Sequence, residues 1–312
     1  MRGIPAVMAV LAWLALGGVG PVAAQPAAVP GPAKIALGYV LAGDFITCFV
    51  AKDMGFFDRH GLDVTMVKMP LATSVPPALL SDSLQIGMST GTIMVQAAAA
   101  GLDLVAVAGV SRFFADAPKV ALVGRAGTAF RSAADLRGHT IGVPGLGSSM
   151  DVGVKMWLLE HHVPISTVNF VEASFPQHRD VLVNHSVDAV ATLEPFLSRI
   201  IDTGAGYRIA NYYAEVAPNA LAAFWISTGD WARLHRDEIG RFRAALGDAL
   251  AVIRARPEDT KEIEKKYLGY VSPAKPSISL DVAPADFDFF NRALVELHRI
   301  DRPVDTEKLV FR

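Results

Sequence analysis

The sequence predicts a two-lobed α/β protein with a cleft between the lobes, each lobe a mostly parallel sheet flanked by helices. Three observations carry this prediction. Strand-like and helix-like segments alternate along the chain in two successive series, one for each lobe. Asp103 to Val110 is almost wholly apolar, as a strand must be when helices cover both faces of its sheet. Hydrophobic residues make up 52% of the 312 and charged residues 19%, enough for one large core or two ordinary ones. The formal charge of −2 leaves no basic footprint for nucleic acid.

The first segment reads as an export signal. Arg2 is the only charge before Lys34, Ala6 to Leu16 is apolar, and Val22-Ala23-Ala24 offers small residues for cleavage. The apolar run falls short of the ~20 residues that a membrane span needs. The mature chain is expected to begin near Gln25, and Pro26 to Pro32 to form a disordered lead-in. Cys48 is the only cysteine, so no internal disulfide supports the fold and the thiol is expected to be a small core residue.

The elements then follow in order. Lys34 to Val40 is an apolar strand, followed by the Gly43-Asp44 break. A helix carries Ile46, Phe49, Val50 and Phe57 on one side and gives way between Gly55 and Gly61. Leu62 to Val67 is the next strand. Pro76-Pro77 opens a short helix ending near Ser81. Leu84 to Met88 is a brief strand, Ile93 to Ala100 a helix, and Asp103 to Val110 the buried strand. The second series begins after Ser111-Arg112-Phe113-Phe114. Its strands are Lys119 to Gly124, Thr140 to Val143, Val168 to Val171 and Val187 to Thr192. Its helices are Ser132 to Leu136, one with Val152, Met156 and Leu159 on one face, and His178 to Asn184. Leu221 to Ile226 reads as a return strand. A long helix follows with Phe242, Leu246, Ala249, Leu250 and Ile253 on one stripe, then helices from Pro257 and from Pro284 to Leu297.

Four motifs, in this order, carry a resemblance. They are Gly55-Phe56-Phe57 with Gly61-Leu62-Asp63-Val64, the Leu84 to Met88 strand with its Ser/Thr turn, Leu136-Arg137-Gly138-His139, and Val187-Asp188-Ala189 running to Glu194-Pro195. The chain resembles solute-binding proteins of the nitrate, sulfonate and taurine type that serve ABC importers, and the wider superfamily that binds thiamine-pyrimidine precursors. His139 stands where relatives carry lysine, ahead of the strand rather than at a site. The resemblance implies the type II periplasmic-binding-protein fold, with a signal peptide at 1–24 and a lead-in at 25–33. It implies lobe I from 34–114, lobe II from 115–220, and a return to lobe I over 221–312. It also implies a periplasmic monomer that closes on a small molecule and delivers it to a permease with an ATPase subunit, with no cofactor.

The expected ligand-binding residues gather at strand ends, where open α/β sheets bind ligands. Ser89, Thr90, Gly91 and Thr92 follow one strand, and Gly147, Ser148 and Ser149 follow another. At both turns, helix N–H groups and hydroxyls suit an anionic oxygen, and helix capping explains the same residue types. Asp44 is either an N-cap or a ligand contact. Tyr39 is placed to stack on a ligand or hydrogen-bond it. Arg112 reads as an anion clamp or an ion-pair partner. Glu194 reads as a reader of a ligand amine or a helix cap. Sulfonates and amino-sulfonates are the first expected ligands, then aromatic or aliphatic carboxylates and nitrate-like oxyanions. Lyases and pyrimidine-forming enzymes share the fold, but no Ser-His-Asp arrangement, Cys-His pair or Gly-x-Ser-x-Gly elbow is legible. An enzyme is therefore not expected. Adjacent His161 and His162 point about 100° apart on a helix, so no metal site is expected either. An exported sensor input is the other alternative to an importer.

Overall fold

Alternation of strand and helix builds two separate five-stranded sheets in the computed structural model, which describes residues 31–113, 119–271 and 277–312. The expected signal peptide, the lead-in up to residue 30 and Phe114 lie outside the described residues. Pro32 to Arg312 forms one compact unit.

The first sheet contains β1 (Ala33–Tyr39), β2 (Leu62–Lys68), β3 (Ile86–Ser89) and β4 (Leu104–Arg112). The second contains β5 (Val120–Arg125), β6 (Thr140–Val143), β7 (Asn169–Glu172), β8 (Ala189–Leu193) and β9 (Gly206–Ala210). A tenth strand, β10 (Leu221–Thr228), returns to the first sheet. The strand orders are β2-β1-β3-β10-β4 and β7-β6-β8-β5-β9. β10 runs antiparallel between β3 and β4, and β5 runs antiparallel between β8 and β9. Each sheet is thus mostly parallel, with one reversed strand. Ala33, expected to end the lead-in, already pairs with Leu62 in the β1–β2 ladder.

The first helix is two pieces, Ile46–Asp53 and Phe56–Arg59, separated at Gly55. Their apolar faces meet the long helix Arg236–Ala255, where Phe57 stacks on Phe242 at 5.7 Å and Trp225 of β10 meets Phe242 edge-on at 5.9 Å. Aromatic packing of this kind adds to the area buried, and it carries the C-terminal helices onto the first sheet. Cys48 lies fully buried in this layer, and burial pushes its thiol pKa well up, so it is chemically quiet.

The helices Tyr212–Val216 and Gly229–Leu234 and the strand β9 are among the elements that were not anticipated from the sequence. β9 is half-buried except for exposed Arg208 in its middle, so it lacks the apolar run that marks the other strands.

Candidate functional site

The loops leaving the carboxyl ends of the parallel strands face one another across a cavity of about 50 Å³, room for a few waters. Val40 and Ala42 follow β1, Pro70 and Ala72 follow β2, and Thr90 follows β3. From the other sheet, Pro144, Ser148 and Ser149 follow β6, Ser174 and Phe175 follow β7, and Leu193 closes β8. Phe45, Met88, Phe113 and Met150 make most of the remaining wall apolar. Strand ends collect there because the helix that follows each parallel strand must turn back along the sheet, leaving the strand-to-helix turns at one edge.

Hydroxyls from both sheets meet in this wall. Thr90 Oγ1 lies 3.1 Å from Thr92 Oγ1, which lies 3.4 Å from Ser149 Oγ. Thr90 precedes the helix Gly91–Ala99 in extended conformation, without a side-chain cap bond. Ser148 precedes the helix Ser149–Glu160 and does cap it, accepting from Asp151 N at 3.5 Å. Gln96 Nε2 donates to Gly147 O at 3.1 Å, a second contact between the sheets. Gly43 N–H, donating to Glu194 O at 3.3 Å, is a third.

Asp44 is the one ionisable residue in the wall among the described residues, and its carboxylate is ion-paired with Lys119. Both side chains are more than nine-tenths buried. Asp44 sits inside the turn Gly43–Phe45 and makes no cap bond, so the capping alternative fails for it. Arg112 clamps Asp286 through Nη1 and Nη2 at 2.6 and 3.2 Å, donates from Nε to Ser279 Oγ and from Nη1 to Asn219 O. It is an ion-pair partner away from the wall, not an anion clamp, because a carboxylate from the C-terminal segment has already filled its fork. Glu194 accepts from Ser198 Oγ at 2.9 Å and Ser198 N at 3.3 Å, and burial raises its pKa. It caps the following helix. Its side chain is outside the wall, so of the two alternatives, amine reader or cap, the contacts to Ser198 fit the cap.

Residues 42–260 match the family described as NMT1/THI5 like. The chain belongs to this family. Among solved structures, the alkanesulfonate-binding protein SsuA from Xanthomonas axonopodis pv. citri, bound to MOPS, superimposes with a TM-score of 0.78. Identity is 20%, over 91% of this chain and 100% of that one. The periplasmic nitrate-binding protein NrtA from Synechocystis PCC 6803 gives 0.75 at 12% identity, over 88% and 84%. The desulfurization enzyme DSZB gives 0.63 at 13% identity, over 89% and 96%. No curated protein matches by sequence. At these identities the likeness is one of fold, the two-lobed α/β fold of periplasmic binding proteins.

For this NMT1/THI5-like chain, the cavity brings together four of the expected site residues: Asp44, Thr90, Ser148 and Ser149. Thr92 joins them through its hydroxyl contacts. Gly91 is present for packing, since a Cβ there would stand 2.0 Å from the Phe290 ring. Gly147 sits at φ +82 with its N–H donating to Asp151 Oδ2 at 2.8 Å, so that donor is already taken. Ser89 is fully buried in β3 outside the wall. Tyr39 also lies outside it, edge-on to Phe49 at 5.4 Å, because the last residue of β1 points into the helix layer rather than the cleft.

The sequence reading missed Lys119, Ser174 and Phe175. Lys119 carries one legible signal, a lone charge opening an apolar strand. Ser174 lies in a Ser-Phe-Pro-Gln cap, where Ser174 N and Oγ donate to Gln177 Oε1 at 3.0 and 2.7 Å. That capping box follows β7 as the other turns follow β3 and β6. Behind Phe175, His178 is fully buried and donates from Nε2 to Ala173 O at 2.8 Å. Burial holds its pKa down at about 4.

Proposed function

We propose that this chain is the extracytoplasmic substrate-binding component of an ABC-type importer, capturing a small organic anion by closure of its two lobes. The observation that carries the reading is the cavity itself. Hydroxyls of Thr90, Ser148 and Ser149, drawn from both sheets, line it together with an apolar surround. Hydroxyls at helix starts suit a negative oxygen, and the apolar wall suits a short aliphatic or aromatic body. Sulfonates lead and carboxylates follow, in keeping with the alkanesulfonate-binding and nitrate-binding proteins that share the fold. The cavity holds only a few waters, so a ligand of that size enters when the lobes part and is enclosed when they close. The partners are then a permease and its ATPase, and the compartment is the periplasm.

An enzyme is the second reading, favoured by the desulfurization enzyme among the structural neighbours. Against it, no cysteine or histidine lines the cavity among the described residues. The nearest partner of Ser149 Oγ is another hydroxyl rather than a base, so the serine is not activated as a nucleophile.

A thermal panel of sulfonates, carboxylates and neutral pyrimidines tests the reading. Ligand at a hundredfold its dissociation constant adds about 2.7 kcal/mol, a rise in melting temperature of roughly 5–10 °C for a chain of this size. Recovery of the stabilising compound unchanged supports a binder, and its conversion supports an enzyme. Stabilisation by pyrimidines alone overturns the anion assignment.

A further inference from the structure

The buried ion pair at the cavity has a consequence for what the cavity admits, given that small-molecule capture there is the right reading. Asp44 lies in the turn after β1 and Lys119 immediately before β5, so the pair joins the two sheets. Asp44 is in the cavity wall, and Lys119 Nζ stands 5.7 Å from the ring centroid of Phe113, which is also in the wall. The contact uses one carboxylate oxygen, Oδ1. The neighbouring charged groups are otherwise engaged. Glu194 is turned to Ser198, Arg112 to Asp286, and Asp151 to Lys155 and Gly147 N.

Removing one partner from a buried pair leaves a charge in a medium that solvates it poorly, which is much more costly than replacing both partners together. A simple anion that drew Lys119 to itself would strand Asp44. A simple cation that drew Asp44 would strand Lys119. A ligand carrying both an oxyanion and an ammonium group can satisfy the two at once. We propose that Asp44 and Lys119 are the specificity-determining pair of this site and select a dipolar ligand over a ligand with either charge alone. Asp44 thereby takes the role of amine reader expected of Glu194, and Lys119 becomes the cation that the hydroxyl turns lack.

Matched probe sets test this on the mature chain by calorimetry and thermal shift. The sets are ethanesulfonate, taurine and ethylamine; propionate, β-alanine and ethylamine; and benzoate, aminomethylbenzoate and benzylamine. In at least one set the dipolar member should bind about tenfold or more tighter than both single-charge members, a factor worth about 1.4 kcal/mol. The double variant Asp44→Asn/Lys119→Gln removes both charges and strands neither, and it should lose that preference. If every single-charge member that binds does so as tightly as its dipolar counterpart, the proposal is overturned while the capture reading stands. A double variant that folds and keeps the preference has the same meaning. If the double variant does not fold, the wild-type ranking alone decides. Binding by none of the probes removes both this proposal and the anion-capture reading.

Discussion

The two strand-to-helix turns that meet at the cavity look alike in sequence and are not alike in the structure. Ser89-Thr90-Gly91-Thr92 and Gly147-Ser148-Ser149 both place hydroxyls at a helix start behind a short buried strand. The first opens a helix with no acidic residue in its first turn and no side-chain cap bond. The second brings its own anion. Asp151 is buried in the first turn of its helix, where Oδ2 accepts from Gly147 N–H and from Lys155 Nζ at 2.7 Å. A carboxylate at a helix N-terminus neutralises part of the charge that would attract a ligand. The second turn is thus internally satisfied and contributes hydroxyls, while the first keeps the more positive helix end. Donor residues at a helix start make an anion site only to the extent that the helix has not supplied the anion itself.

The two sides also differ in sensitivity to acid, and this is the largest expected effect. His178 backs the wall on the Ser148 side, neutral and fully buried, with its pKa near 4 against 6.5 for the free side chain. The unfolded chain therefore binds more protons between these values, and stability falls as pH drops through that window. The loss is on the order of 3 kcal/mol by pH 4. Urea titrations from pH 7 to 4 on the wild type and His178→Phe should show the steeper decline in the wild type. Parallel declines would remove His178 as the cause.

Next in size is Gly91→Ala on the Thr90 side. Its Cβ would overlap the Phe290 ring in a packed core, a loss of about 3 kcal/mol. Gly147→Ala meets nothing closer than Gln96 at 3.6 Å, so only the left-handed backbone counts against it, at about 1 kcal/mol. Equal losses in denaturant melts would mean that the two glycines serve the same purpose after all.

Asp151→Asn sharpens the comparison at its centre. It should destabilise the chain by about 2 kcal/mol through loss of a charged hydrogen-bond acceptor, and it should strengthen binding of a sulfonate or carboxylate probe. A weakened or unchanged anion affinity would show that the Ser148 turn never faced the ligand's negative end. The smallest effect is expected for Ser149→Ala, which removes one ligand donor and its contact with Thr92 without touching the Ser148 cap. Affinity should drop by about 1 kcal/mol with little change in melting temperature.

Most of the architecture was legible because it is written locally. The apolar run in β4, the Gly/Ser punctuation after β3 and β6, and the apolar stripe of Arg236–Ala255 each state their element within one window of sequence. β9 and the helix after it were not legible. Their residues are mixed in burial and polarity, so neither period stands out from its surroundings. The turns that surround the cavity were also readable, since β-α connections announce themselves with glycine and hydroxyl residues.

The sequence by itself determined the succession of strands and helices and the positions of the hydroxyl turns. Tertiary structure decided what each charge does. Asp44 finds Lys119 75 positions away, and Arg112 finds Asp286 174 positions away. No local pattern states such a pairing. A charge carried inside on folding must be matched by whichever opposite charge the packing brings beside it. Glu194 shows the converse. Its partner is only four residues on, yet whether the carboxylate turned toward Ser198 or the cleft depended on how β8 meets the wall. The reversed strand β10 is likewise held between β3 and β4 by aromatic contacts on both faces of the sheet, Phe224 with Phe287 on one and Trp225 with Phe45 and Phe242 on the other.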